Sequence, residues 1–124
     1  MVWAKHNGTL KYRTVIYNMN HTASSLPKVS FKVKNMRSPR SNREVANQLI
    51  ISMYDEQGNL HEYFQSYGSM IVHQDMKGAV HLDEKFWDYS RTTGKYRNLF
   101  LNESTKETQA KIKSGEYILA DLNA

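Results

Sequence analysis

Apolar and polar positions change rhythm along this chain. From Lys28 to Asn35 they alternate strictly. Val29, Phe31 and Val33 fall on one side and Lys28, Ser30, Lys32 and Lys34 on the other, the period-two pattern of a strand with one buried and one basic face. A loop over Asn35 to Asn42 follows, with Ser38-Pro39 inside it and Arg37, Arg40 and Arg43 in or beside it. Ala46 to Tyr54, centred on Leu49-Ile50-Ile51, is apolar on both faces and predicts a central strand, although Glu44 to Leu49 has the composition of a short helix as well. The cluster Asp55-Glu56-Gln57-Gly58-Asn59 turns the chain. Further strands are predicted at Leu60 to Tyr67, Met70 to Gln74 and Ala79 to Leu82, the last two joined across Asp75-Met76-Lys77-Gly78. This is the pattern of an antiparallel meander. Upstream, Asn7-Gly8 stands between Val2-Trp3-Ala4 and Tyr12 to Tyr17. Asn-Gly between apolar runs predicts a hairpin because both residues accept positive φ. Residues 18–27 are polar and turn-rich.

After Phe86 the period lengthens. Ser90 caps a predicted helix over Thr92 to Leu101, with Tyr96, Leu99 and Phe100 on its apolar side and Arg91, Lys95 and Arg97 on its exposed side; Gly94 argues against it. Ser104-Thr105-Lys106-Glu107 is a capping box, in which Ser and Glu satisfy each other's orphan N–H groups. A second helix runs to Lys113 and stops at Ser114-Gly115, and Glu116 to Leu122 predicts a closing strand. The fold class expected is α+β, a mostly antiparallel sheet with two short C-terminal helices and a closing strand. At 124 residues it fits one domain. That domain comprises a basic β-rich part over 1–85, a helical part over 86–115 and the strand over 116–122.

Charge changes the picture more than composition does. The first 43 residues hold nine Lys or Arg and no carboxylate; all twelve Asp and Glu lie from Glu44 onward, so a front third of +9 is followed by a remainder of −4 within a net charge of +5. Clustered cations raise the local concentration of polyanions, so the split points to an anionic partner. There is no cysteine. That removes disulfides, thiolate metal sites and thiol nucleophiles, and fits a reducing compartment. Met1 to Thr9 lacks the apolar stretch of a signal peptide and no window reaches the ~20 apolar residues of a membrane span. The expected location is the cytoplasm, with no membrane partner.

Two segments carry candidate chemistry. Alternate strand residues lie about 7 Å apart, close to the spacing of phosphates along a nucleic-acid strand, so Lys28, Lys32 and Lys34 with Arg37, Arg40 and Arg43 can neutralise successive phosphates. Such contacts give affinity without sequence choice. The alternative is a solvated face whose cations serve solubility alone. The second segment is Phe86 to Arg97, where aromatic rings stand beside Arg91, Lys95 and Arg97. Rings that stack on bases beside cations that hold phosphates suit single-stranded nucleic acid, and the same residues suit a helix docking onto a sheet. Trp87, Tyr96 and Phe100 are read as core and the cations as available to a partner.

Enzymatic readings rest on less. Asp75 with Asp83-Glu84-Lys85 imitates the paired carboxylates and lysine of metal-dependent nucleases, a short and common pattern. The five histidines, His6, His21, His61, His73 and His81, include no helical ligand pair, although His73 and His81 face each other if the Met76-Lys77 hairpin forms. Thr92-Thr93-Gly94-Lys95 lacks the glycine loop of a phosphate cradle.

The stretch Trp87-Asp88-Tyr89-Ser90-Arg91-Thr92-Thr93-Gly94-Lys95-Tyr96-Arg97-Asn98-Leu99-Phe100-Leu101 is followed by Lys106-Glu107-Thr108, Gly115-Glu116-Tyr117 and Asp121-Leu122-Asn123. Together with Phe64-Gln65-Ser66-Tyr67 and Val29 to Arg40, it resembles a family of small uncharacterised proteins of tailed bacteriophages, over residues 28–123. The resemblance implies a small protein working inside an infected host cell, of a kind that binds nucleic acid or blocks a host enzyme or defence system. It carries over no catalytic residue. The sequence therefore leads to the expectation of a non-enzymatic binding protein without cofactor or metal, engaging nucleic acid or a nucleic-acid-handling host complex through Lys28, Lys32, Lys34, Arg37, Arg40, Arg43, Arg91, Lys95 and Arg97. An inhibitor of a host defence enzyme, of the anti-restriction or anti-CRISPR type, is the alternative, and a metal-dependent nuclease comes third.

Overall fold

The computed structural model describes residues 29–124 and, as backbone, residues 3–6 and 9–12. The latter form a two-stranded antiparallel ladder, β1 (Trp3–His6) with β2 (Thr9–Tyr12), in which His6 pairs with Thr9 and Trp3 with Tyr12. The Asn7-Gly8 turn, the expected strand beyond Tyr12, the polar stretch over 18–27 and Lys28 lie outside the described residues.

The main sheet has six strands in the order of the chain: β3 (Ser30–Arg37), β4 (Glu44–Tyr54), β5 (Leu60–Ser66), β6 (Ser69–Asp75), β7 (Val80–Asp83) and β8 (Tyr117–Ala120). β3 to β7 form the expected meander, and Glu44 to Leu49 is strand rather than helix. β8 joins β7 in parallel, after a crossover containing α1 (Arg91–Leu101) and α2 (Thr105–Ser114). The chain is thus α+β, with two helices near the C-terminus and a closing strand.

Local chemistry explains the turns. Asp55 follows β4 and Asp75 ends β6, and each uses Oδ1 to accept two backbone N–H groups of the turn that follows: Gln57 and Asn59 for Asp55, Lys77 and Ala79 for Asp75, each bond 2.9 Å long. Three residues after each aspartate stands a glycine at positive φ, Gly58 or Gly78, as an Asp-x-x-Gly turn requires. Between β5 and β6, Tyr67 and Gly68 are both left-handed (φ 50° and 84°), the geometry of a tight type I′ hairpin.

Both helix starts behave as the sequence predicts. Ser90 accepts from the N–H of Thr93, and Ser104 and Glu107 close their reciprocal box at 3.1 Å in both directions. Gly115, left-handed, ends α2. The helices cover one face of the sheet: Phe64 stacks on Phe100 at 6.0 Å, and the Ser66 hydroxyl meets that of Thr93 at 3.0 Å. Phe64, Val72, Val80, Leu82, Tyr96 and Tyr117 form the core between them. Glu103 fastens the crossover, accepting from Thr108 (2.5 Å), Tyr117 (2.7 Å) and Lys111 (2.8 Å). Burial alone would raise its carboxyl pKa, but those three hydrogen bonds outweigh it and hold the group below the usual carboxylate value.

Three expectations are corrected. Phe31 and Val33, read as a buried face, are 49% and 57% exposed. β3 is the sheet edge and these side chains point away from the helices, so only Met36, at a bulge between Asn35 and Arg37, reaches the core. Leu99 is exposed rather than apolar-side, and Arg97 is wholly buried rather than exposed. α1 turns its Tyr96 and Arg97 flank inward, because the segment leading into the helix offers Arg97 acceptors that solvent would otherwise supply.

Candidate functional site

Directly paired strand residues share a face. Lys34 therefore lies on the same side as Ile50, Phe64 and Val72, and Lys32 on the same side as Ser52, Glu62 and Gln74. That side carries the helices. The lysines thus extend the helix-bearing face outward at its β3 edge, beyond the cover of α1, and both are exposed.

The loop from Ser38 to Arg43 is a closed turn. Asn42 N–H donates to Ser38 O (2.8 Å), Ser38 N–H donates to Arg43 O (2.9 Å), and Asn42 takes positive φ. Ser38 and Ser41 hydroxyls each accept a backbone N–H, from Arg40 and Arg43 respectively, at 3.3 Å. The Arg37 guanidinium donates to Asn42 O at 2.7 Å and stands 3.9 Å from Glu44. Arg40 and Arg43 project from this braced turn into solvent.

Pro39 on that turn faces α1 across an open cleft of about 720 Å³, whose other wall includes Ser90, Arg91, Lys95 and Asn98. Arg91 and Lys95 are one helical turn apart and therefore on one flank of α1. The cations lining this concavity, Arg91 and Lys95, come from α1, and the basic 38–43 turn reaches it through Pro39, the chain neighbour of Arg40. One carboxylate, Asp88, lines it too, and is held 3.1 Å from the Arg97 guanidinium.

Arg97 itself does not join them. Its Nη1 donates to Trp87 O (2.5 Å) and Asp88 Oδ1 (3.1 Å), its Nη2 to Asn98 Oδ1 (3.0 Å) and Thr105 Oγ1 (2.8 Å). It also lies 5.0 Å from the centre of the Trp87 ring. It is a fastener between the start of α1 and the start of α2. Trp87, read as core, is half-buried and packed against the core under this cation.

The opposite face of the sheet holds a row that sequence reasoning found only in part. His73 and His81 pair across the β6–β7 hairpin as expected, their rings stacked 5.8 Å apart. The extension through β5 was missed: Tyr63 stacks on His73 at 4.7 Å, His61 Nδ1 lies 3.0 Å from His73 Nε2, and His61 Nε2 lies 3.0 Å from Asp55 Oδ2. A carboxylate only accepts, so His61 donates to Asp55 through Nε2–H. In its neutral form His61 then accepts through Nδ1 from His73 Nε2–H. Burial alone would raise the Asp55 pKa; the bond from His61 and those from the Asn59 and Gln57 N–H groups overcome this and lower it. Burial pushes the Tyr63 phenol up to about 12. The turns alone could not show it: the Asp-x-x-Gly turns set β4–β5 and β6–β7, but the β5–β6 register shifts between Phe64 and Gln65, and only with that shift do Tyr63 and His61 fall opposite His73 and Asp75.

Among the described residues no group of three or more His, Asp or Glu is placed to hold a metal. The nuclease-like carboxylates are apart and occupied. Asp75 closes the turn at Ala79, whereas Asp83 ends β7 four residues on, about 13 Å along a strand. Asp83 Oδ2 accepts from the N–H groups of Lys85 (3.1 Å) and Phe86 (2.8 Å), and Oδ1 from that of Leu122 (2.9 Å). Among the described residues no helix is long and apolar enough to cross a membrane.

One family model, described as a family of unknown function, matches residues 31–116. No curated protein and no solved structure matches the chain.

Proposed function

The chain belongs to this family, DUF8033, and since the family's description assigns its members no activity, we propose from the site alone that the protein is a non-enzymatic module that binds nucleic acid, or a nucleic-acid-handling complex, through the cleft between the 38–43 turn and α1. The observation that carries this reading is a concave strip walled on one side by Arg91 and Lys95 of α1 and on the other by Pro39, on the turn that bears Arg40. Lys32 and Lys34 prolong it along the β3 edge, and the loop cations sit on a turn already ordered by its own hydrogen bonds. A pre-ordered row of cations neutralises phosphates without first losing conformational freedom. The resemblance to small phage proteins supplies the proposed setting, the cytoplasm of an infected host.

Fluorescence anisotropy with labelled oligonucleotides tests it. About five phosphate contacts on a single strand give an affinity loss on the order of 100-fold between 50 and 200 mM salt. Arg40→Glu/Arg91→Glu/Lys95→Glu should abolish binding with the melting temperature kept, because all three side chains are exposed. Salt-independent binding, or an unaffected triple variant, would exclude this cleft. If a partner pulled from host lysate survives nuclease treatment and is lost in the triple variant, the cleft serves an acidic protein face, as in an inhibitor of a host defence enzyme.

A further inference from the structure

We infer that Tyr89 is a base-stacking residue, and that the nucleic acid taken by this cleft is single-stranded; this rests on the function proposed above. Tyr89 stands between Asp88 and Ser90, both of which line the cleft. At 68% it is the most exposed large hydrophobic side chain among the described residues. It is also braced. Its ring meets Phe86 edge-on at 5.5 Å and 67°, its N–H donates to Phe86 O at 3.2 Å, and the next residue is the cap of α1. A ring braced against a neighbouring ring while two-thirds of the residue stays exposed is ordered before any ligand arrives and loses little freedom when one does.

The neighbouring charges complete the arrangement. Arg91 follows two residues later, Lys95 one turn beyond on the same flank, and Pro39, the chain neighbour of Arg40, stands across the cleft. An aromatic face beside cations at this spacing holds a base and its flanking phosphates together. A duplex keeps its base faces stacked inside, so an exposed tyrosine ring that stacks selects a strand whose bases are free. Trp87, the ring the sequence offers for this role, has the Arg97 guanidinium 5.0 Å from its centre and its body against the core. Tyr89 is the ring on this segment left available.

The test is anisotropy on the full chain at one fixed salt concentration. Its probes are a single-stranded oligonucleotide, the same length of abasic sugar–phosphate strand, and a duplex. The parent should bind the single strand more tightly than the duplex. Tyr89→Ala should weaken single-strand binding about tenfold, the usual consequence of losing one stacked base. Tyr89→Leu, which keeps an apolar contact for Phe86 without a π face, should lose as much; Tyr89→Phe should lose little. All of them should bind the abasic strand as the parent does, whereas Arg91→Glu/Lys95→Glu should lose both strands. If Tyr89→Ala and Tyr89→Leu bind the single strand like the parent while the charge variant does not, or if they lose the abasic strand equally, the stacking role is wrong and the cleft stands. A parent that prefers duplex overturns the single-strand assignment. A parent that binds none of the probes removes the proposed function itself.

Discussion

Replacing Arg97 by alanine removes a guanidinium that is fully buried and donates to four groups on three segments: Trp87 O, Asp88, Asn98 and Thr105. Hydrogen bonds to a charged group contribute about 1.5 to 3 kcal/mol each, so four counted independently would suggest at least 6. That overcounts. Asn98 and Thr105 also bond each other, at 3.2 Å, and keep that partner. The Asp88 side chain is 46% exposed and can turn to water. The Trp87 carbonyl and the Trp87 ring lose most, together with the volume of the side chain. The expected cost is therefore about 3 to 5 kcal/mol, the range for breaking a buried charged contact. At about 4 °C per kcal/mol for a domain of this size, the melting temperature should fall by roughly 12 to 20 °C. Arg97→Lys should fall about half as far, because one ammonium cannot reach acceptors set out for a planar fork. Calorimetric melting of both variants beside Arg91→Ala and Lys95→Ala is the assay, with the latter two expected within about 0.5 kcal/mol of the parent. If Arg97→Ala melts within about 2 °C of the parent, Arg97 is not the fastener described here.

The histidine row and the carboxylates give two further outcomes. Because hydrogen bonds hold Asp55 below its ordinary value of 3.8 in the folded protein, its ionised form stabilises the fold above that value, and the contribution is lost as pH falls through the lower folded-state pKa. Asp55→Asn should therefore be less stable than the parent by about 1.5 to 3 kcal/mol in urea at pH 7, and the gap should close in acid below about pH 4; a gap independent of pH would refute the bond to His61. Asp83→Asn should lower stability, since both oxygens cap backbone N–H groups. Neither parent nor variant should cut DNA or RNA with Mg²⁺ or Mn²⁺ on a gel, and metal-dependent cutting lost in the variant would restore the nuclease reading.

Elements set by local chemistry were legible in the sequence. The Ser104–Glu107 box, the Gly115 stop, the Ser90 cap and the Asp-x-x-Gly turns each announce themselves within five residues, and the structure places them accordingly. What failed depended on neighbours distant along the chain. Phe31 and Val33 alternate as core residues do, yet strand order puts β3 at an edge, and no local pattern encodes strand order. Arg97 sits at a polar position of its helix, but its acceptors come from Trp87 before α1 and Thr105 after it. The cleft was half legible. Each wall stood out as a basic segment, while their meeting at Pro39 follows only from how α1 lies on the sheet.

The parallel pairing of β8 with β7 has a kinetic consequence. Every contact within the β3 to β7 meander closes a short hairpin, whereas β8 reaches Val80 from Tyr117 only after both helices have crossed over. Closing that longer excursion costs more chain entropy than any hairpin, and it is repaid only when α1, α2 and β8 dock together. The meander is thus expected to form first and the crossover to arrive as one later unit. Since one wall of the cleft belongs to each, a half-folded chain carries the cations but not the concavity. Amide exchange should find the cleft opening with α1 and β8 while the β5–β6 hairpin stays protected, so the binding surface has the stability of the last unit to assemble rather than that of the sheet.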